Sequence, residues 1–120
     1  MILVDTSVWV EHLRRRSDPL STLLAEERAW CHPFVIGEIA LGHLQHRAEI
    51  LSLLAELPAA PEASHAEVLR FVDLHNLMGA GIGWLDAHLL ASTAIGGLSL
   101  WTADKRLCRT AERIRLAWNG

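Results

Sequence analysis

The pattern that most constrains the fold occurs twice: a short apolar run, then a polar turn that holds an aspartate, then a helical pattern. Residues 2–4 (ILV) are followed by Asp5, and residues 98–101 (LSLW) are followed, after a short turn, by Asp104. A short apolar run rich in β-branched residues is typical of a strand buried on both faces. The sequence therefore predicts strand–turn–helix units at both ends of the chain.

Helical spacing dominates the rest of the sequence. We expect one helix that begins after Ser7 as its N-cap and another that begins near residue 18. Further helices are predicted over 34–45, 48–57, 64–77, 84–95 and 105–112, and further strands at 29–31 and 114–118. Short strands separated by helices favour a three-layer α/β/α domain with a short, mainly parallel central sheet flanked by helices. The length permits one compact core, so residues 1–120 are predicted to form a single domain.

Composition narrows the class of protein. Apolar residues make up 51% and charged residues 21%, which is a globular composition rather than a disordered one. The longest apolar runs are far shorter than the roughly 20 residues of a membrane span, so no membrane association is expected. The first residues lack the features of a secretory signal, which predicts a cytoplasmic protein. Cys31 and Cys108 lack the spacing of metal ligands and are expected to be ordinary buried thiols.

Four acidic residues lie at strand ends or beside apolar helix faces, where a carboxylate indicates a partner or a function. Asp5 and Asp104 follow strands, at the edge of the sheet where open parallel sheets bind ligands. Helical spacing places Asp86 in the apolar stripe of its helix, and Glu38 at one side of the stripe of the helix over 34–45, so both acids are expected to face inward. Ordinary roles as turn or cap residues, or as partners of core-facing arginines, are the alternative for each acid.

If the four acids converge on one pocket, they cannot all stay ionised unless cations neutralise them. Ligation by oxygen alone selects Mg²⁺ or Mn²⁺, as one or two ions. Such a site activates a water for in-line attack on phosphorus, which is the chemistry of phosphodiester hydrolysis. Three hydroxyls flank the acids and are candidates to support them, while helix capping is the alternative role for the first two: Thr6, Ser7 and Thr102.

Four segments, in this order and spacing, resemble the PIN-domain ribonucleases and, more narrowly, the VapC-type toxins of toxin–antitoxin modules. They are residues 2–7 (ILVDTS), 33–39 (PFVIGEI), 84–91 (WLDAHLLA) and 100–104 (LWTAD). One small departure is His32, which precedes the proline where a hydroxyl residue is common. The resemblance implies a metal-dependent endoribonuclease that forms a homodimer, is inhibited by a cognate antitoxin protein and assembles with it as a hetero-oligomer.

The resemblance also implies roles for individual residues. The metal-binding and catalytic set is Asp5, Glu38, Asp86 and Asp104. Within that set Asp5 and Asp86 are the direct ligands, and Mg²⁺ or Mn²⁺ is the cofactor. Thr102 and Ser7 match the supporting hydroxyls of the family. In the inhibited complex, the antitoxin would lay a helix along the groove made by the first helices and place a basic side chain into the acidic pocket.

Two basic clusters flank the acids in the sequence. On the nuclease hypothesis they hold RNA phosphates on either side of the scissile bond, while a solvated helix end is the alternative for the first cluster. The candidate RNA-binding residues are Arg14, Arg15, Lys105, Arg106 and Arg109. Trp9 and Trp84 are candidates for base stacking, and His88, opposite the Asp86 face, is expected on the surface or in an interface.

The net charge of −3 argues weakly against a nucleic-acid partner. The four candidate acids cause this negative net charge, however, because the rest of the chain carries ten acidic and eleven basic residues.

Two other functions are alternatives. A phosphoryl-transfer domain with Asp5 as nucleophile would need a second aspartate where this chain has Ser7. A catalytically silent module that grips a basic peptide in the acidic pocket remains open from sequence.

Overall fold

The computed structural model describes residues 1–119 and contains a parallel sheet of three strands, in the order β2-β1-β3. The strands are β1 (Ile2–Val4), β2 (Ala29–Trp30) and β3 (Ser99–Trp101). Leu3 lies opposite Trp30 on one side and Leu100 on the other. All of β1 is buried, as its continuous apolar run predicts. Gly120, the last residue of the predicted domain, lies outside the described residues.

Within residues 1–119, seven helices flank this sheet. They are α1 (Thr6–Arg14), α2 (Asp18–Ala25), α3 (Pro33–Ala40), α4 (Arg47–Glu56), α5 (His65–Leu74), α6 (Trp84–Ile95) and α7 (Lys105–Arg113). The predicted α/β fold, with a short parallel sheet flanked by helices, is confirmed. No helix in the described part of the chain is both long and apolar enough to cross a membrane.

Helix α6 is the most deeply buried helix and fixes the position of Asp86 in its first turn. Every residue from Ala87 to Thr93 is buried, and the helix packs against α5 and β3. Burial of a leucine such as Leu89 or Leu90 contributes about 1.5–3 kcal/mol. Asp86 is therefore carried on a rigid element.

Several predicted boundaries differ from the structure, three of them in ways that the local structure explains. Helix α1 begins at Thr6 rather than after Ser7, and the helix predicted over 34–45 ends at Ala40, shortly before Gly42. The predicted strand over 114–118 is reduced to one parallel bridge between Leu100 and Ala117. Arg115 has a φ of 61°, which turns the chain just before this bridge and shortens the extended segment.

The expectation that His88 is on the surface is wrong. Its side chain is buried, with ring centroids 4.9 Å from Phe34 and 5.1 Å from Trp84. Helix α6 is covered on this side by α5 and by the first turn of α3, which a helical pattern alone does not reveal. Burial lowers the pKa of His88, and the nearby charge of His65 lowers it further.

Candidate metal centre

Asp5 directly follows β1, and two hydroxyls hold its carboxylate. Its side chain is only 6% exposed. Oδ2 accepts hydrogen bonds from Ser7 Oγ at 2.8 Å and from Thr102 Oγ1 at 2.7 Å. In the described part of the chain, no donor reaches Oδ1 of Asp5. The two hydroxyls therefore fix the orientation of the carboxylate and leave Oδ1 to bind something else.

The same two hydroxyls bind the turn that follows β3. Thr102 Oγ1 accepts the Asp104 N–H at 3.0 Å, and Ser7 Oγ accepts the Ala103 N–H at 2.9 Å. Asp104 itself is exposed, and its Oδ1 accepts the Leu107 N–H at 2.9 Å as the N-cap of α7. The capping role weighed for Asp104 is therefore real, and it occupies one carboxylate oxygen.

Glu38 is exposed on α3, so the expectation that it faces inward is wrong. The buried face of α3 carries Val35 and Ile39 instead. Glu38 Oε1 accepts a hydrogen bond of 2.7 Å from Thr6 Oγ1, which joins α3 to the start of α1. Neither Thr6 nor Ser7 acts as a helix cap, because both hydroxyls donate to acids of the candidate site.

Asp86 is half-buried in the first turn of α6, where its Oδ2 accepts the Gly83 N–H at 3.2 Å. Burial raises the pKa of this carboxyl, the hydrogen bond from Gly83 opposes the rise, and the charges of the other three acids raise it further: Asp5, Asp104 and Glu38. No arginine or lysine within residues 1–119 forms an ion pair with Asp86. The structure thus brings the four predicted acids within electrostatic range of one another, without a basic side chain to compensate Asp86.

These donors suit a hard divalent cation, because all of them are carboxylate oxygens. The described residues contain no group of three or more His, Cys, Asp or Glu side chains already positioned to hold a metal ion. The acids are therefore close enough to repel one another but are not arranged as a complete ligand shell. A small cation that keeps several water ligands requires only one or two direct carboxylate contacts.

The candidate RNA-binding residues fall into two regions. Arg14 borders a groove of about 390 Å³ between α1 and α3 that also contains Glu38, while Arg15 is exposed at the end of α1. Arg106 and Arg109 line a depression on α7, whereas Lys105 is exposed and does not line it.

A second groove lies beside the first. It has a volume of about 460 Å³, lies between α1, α2 and α4, and is lined mostly by apolar side chains, including those of Trp9 and Leu53. The two grooves adjoin along α1, since Leu13 and Ile50 line both, and together they are called the channel along α1; Glu38 lines the first of them. The buried indole N–H of Trp9 has no hydrogen-bond partner within residues 1–119.

Comparison with known proteins assigns the chain to a family. The model of the PIN domain matches residues 2–113. This chain belongs to the PIN-domain family. Ribonuclease VapC32 of Mycobacterium tuberculosis, found in two strains, is 54% identical over 108 residues, which cover 89% of this chain and 87% of the relative. The prediction of a VapC-type PIN-domain ribonuclease is confirmed.

A solved structure supports the PIN-domain fold independently. The crystal structure of PAE2754 from Pyrobaculum aerophilum superposes with a TM-score of 0.61 at 18% sequence identity, covering 96% of this chain and 88% of that one. At this identity the likeness concerns the fold alone. PIN-domain VapC ribonucleases generally depend on a divalent metal ion, which agrees with the all-oxygen donor set described above.

Proposed function

We propose that this PIN-domain protein is the toxin of a toxin–antitoxin pair, an endoribonuclease that hydrolyses RNA in the cytoplasm with Mg²⁺ or Mn²⁺. The proposed metal-binding and catalytic residues are Asp5, Glu38, Asp86 and Asp104, with one or two ions bound. The observation that carries the proposal is that Asp5, Glu38 and Asp104 all lie close enough to Asp86 to raise its pKa beyond the rise that burial causes, while no arginine or lysine of the described residues pairs with it. A bound cation would turn this mutual repulsion into attraction.

Each residue of the proposed centre has a distinct task. Asp5 and Asp86 offer carboxylate oxygens as direct ligands, and Ser7 and Thr102 hold Asp5 in one orientation. Thr6 orients Glu38 in the same way, so its hydroxyl is a supporting one. When bound, the divalent ion supplies an activated water and stabilises charge on the phosphate oxygens.

The test is cleavage of a fluorogenic RNA by purified protein that has been freed of any partner. Asp5→Ala and Asp86→Asn are each expected to lower kcat/KM by about 100-fold or more, since an interaction specific to the transition state is lost. Asp73→Asn is the matched control, because Asp73 is an exposed acid on α5 with no side-chain contact to the site. A chelator of Mg²⁺ and Mn²⁺ is expected to stop cleavage.

Two results would contradict this assignment. If both variants cleave RNA as fast as the Asp73→Asn control, the metal centre has been placed at the wrong residues. Cleavage that persists in chelator would instead point to a ribonuclease that uses no metal ion.

The channel along α1 suits a cognate antitoxin. Its apolar part, with Trp9 and Leu53, would accept the apolar face of an amphipathic helix, and its other end would admit a basic side chain beside Glu38. Leu53 is 63% exposed, so Leu53→Glu is expected to weaken antitoxin binding without unfolding the protein. Unchanged inhibition by the co-expressed antitoxin would exclude this channel as the docking site.

We also propose the homodimer that the sequence analysis predicts. Exposed apolar side chains on α5 and α6 suit contact with a second copy, among them Leu69 and Leu85 at 47% and 41% exposure. Light scattering on the purified protein tests this state, and a monomer at all concentrations would refute it.

A further inference from the structure

A basic depression lies on α7, separate from the acids of the metal centre. It has a volume of about 260 Å³ and is lined by Arg106, Arg109 and Arg113 on one side and by the loop after α5, residues 76 and 78–80, on the other. The three arginines are spaced three and four residues apart, which places them along one side of the helix. No carboxylate lines the depression. Its positive charge is therefore not neutralised locally.

Two contacts hold the walls of this depression in place. Arg113 donates hydrogen bonds from Nη1 to the His75 carbonyl at 3.1 Å and from Nη2 to the Asn76 carbonyl at 3.3 Å, at the C-terminal end of α5. This end of a helix carries partial negative charge, so Arg113 is bound there and acts as a fixed wall. The side chain of Arg106 lies across Gly81, where a β-carbon would be 3.2 Å from its Cδ.

The guanidinium groups of Arg106 and Arg109 are not engaged in the same way. Within residues 1–119 neither donates a hydrogen bond, and neither forms an ion pair. Planar guanidinium groups match the oxygens of a phosphate, to which they donate two parallel hydrogen bonds. Two such groups in a concave polar site, beside an arginine that is already anchored, form a receptor for one phosphate.

We propose that this depression binds a phosphate of the RNA substrate next to the scissile one, with Arg106 and Arg109 as its ligands and Arg113 as support. The inference rests on the proposed ribonuclease function. Helix α7 begins directly after Asp104, and a rise of 1.5 Å per residue places Arg109 about 7.5 Å along the axis from that acid. A strand that has its scissile phosphate at the acids and runs along α7 would pass Lys105 and then this depression.

The experiment measures steady-state cleavage of a fluorogenic RNA by the Arg106→Ala/Arg109→Ala double variant as salt is increased. We expect KM to rise about tenfold with kcat within twofold of wild type, because the phosphate is bound equally in the ground and transition states. The plot of log(kcat/KM) against log[salt] is expected to become shallower by about 0.7, the value for one phosphate contact on a single strand. Arg70→Ala is the control, since Arg70 is an exposed arginine of α5 outside the depression.

A double lysine variant distinguishes an effect of lost positive charge from an effect of altered structure. Arg106→Lys/Arg109→Lys keeps the charge and is expected to keep the salt dependence of wild type, while losing part of the affinity because lysine lacks the planar fork. If the lysine pair behaves like the alanine pair, the effect comes from altered structure and the proposal is wrong.

The outcomes also separate this inference from the function on which it rests. If wild type cleaves RNA but the alanine pair matches the Arg70→Ala control in KM and salt dependence, the phosphate site is refuted and the ribonuclease stands. If wild type cleaves no RNA, both fall.

Discussion

Removing the Thr102 hydroxyl should damage both the stability and the metal affinity of the protein. This buried hydroxyl donates to Asp5 Oδ2 at 2.7 Å and accepts the Asp104 N–H at 3.0 Å, so it joins two of the proposed ligands. Thr102→Val replaces it with a methyl group of nearly the same size. The side chain then packs as before, but Asp5 keeps only the hydrogen bond from Ser7.

The size of the effect follows from these contacts. A hydrogen bond to a charged group contributes about 1.5–3 kcal/mol to stability, and leaving the Asp104 N–H without its acceptor adds about 1 kcal/mol. The new methyl group offsets up to about 0.8 kcal/mol through its burial. A net loss of about 2–3 kcal/mol lowers the Tm of a chain of this length by about 10 °C. Loss of a group that orients a metal ligand typically weakens metal binding by about 10–100-fold.

Two measurements test this prediction: thermal unfolding in the presence of a chelator, and calorimetric titration of the folded protein with Mn²⁺. Thr93→Val is the matched control, because Thr93 is fully buried and its hydroxyl donates only to the Leu89 carbonyl within α6. Its loss should lower stability by about 1 kcal/mol and leave Mn²⁺ affinity unchanged. If the two valine variants unfold alike and bind Mn²⁺ alike, the Thr102 hydroxyl does not organise the site.

Three further predictions concern single residues. Because burial and neighbouring charges raise the pKa of Asp86, its ionised form destabilises the metal-free fold. In chelator at pH 7, Asp86→Asn should therefore unfold at a higher temperature than wild type. The difference in Tm should disappear as the pH falls to about 4, where Asp86 is protonated in wild type. Burial lowers the pKa of His32, whose Nδ1 accepts the Phe34 N–H, so stability to urea should fall as the pH drops below about 6.5. His32→Asn should make stability depend less steeply on pH in this range. An unchanged pH dependence in the variant would show that another group causes it. Gly81→Ala should lower the free energy of unfolding by about 1–2 kcal/mol, because Gly81 has a φ of +79°, whereas Gly37→Ala, on the open surface of α3, should raise it by about 0.5–1 kcal/mol.

The sequence predicts best those features whose cause is local. The apolar run of residues 2–4 forms the central strand, because side chains that are apolar on both faces of a strand are stable only when both faces are buried. The polar turns in the sequence likewise predict that an acid follows β1 and β3. Ser64 and Glu67, three residues apart, form a capping box at the start of α5, with reciprocal hydrogen bonds of 2.8 and 3.1 Å. In each case the residues that set the structure are within a few positions of one another.

Predictions that depend on neighbouring elements fared less well. A helical pattern shows that Glu38 shares a side with apolar residues, but not that α1 approaches and offers Thr6 to it. The helical pattern of residues 84–95 predicts His88 on the surface, because only the tertiary structure brings Phe34 against that side of α6. The hydroxyl network was also hidden, because Ser7 and Thr102 are 95 positions apart in the sequence.

That separation has a consequence during protein synthesis. The central strand is made long before its partner β3 and the turn that helps to orient Asp5. Contacts between distant parts of a chain form only once both parts are present, and they form slowly. Until β3 is made, a nascent chain therefore has a strand with an open edge, and its Asp5 carboxylate has the Ser7 hydroxyl as a donor but lacks that of Thr102. The proposed catalytic centre is thus assembled only after β3 and the turn at Thr102 have been made.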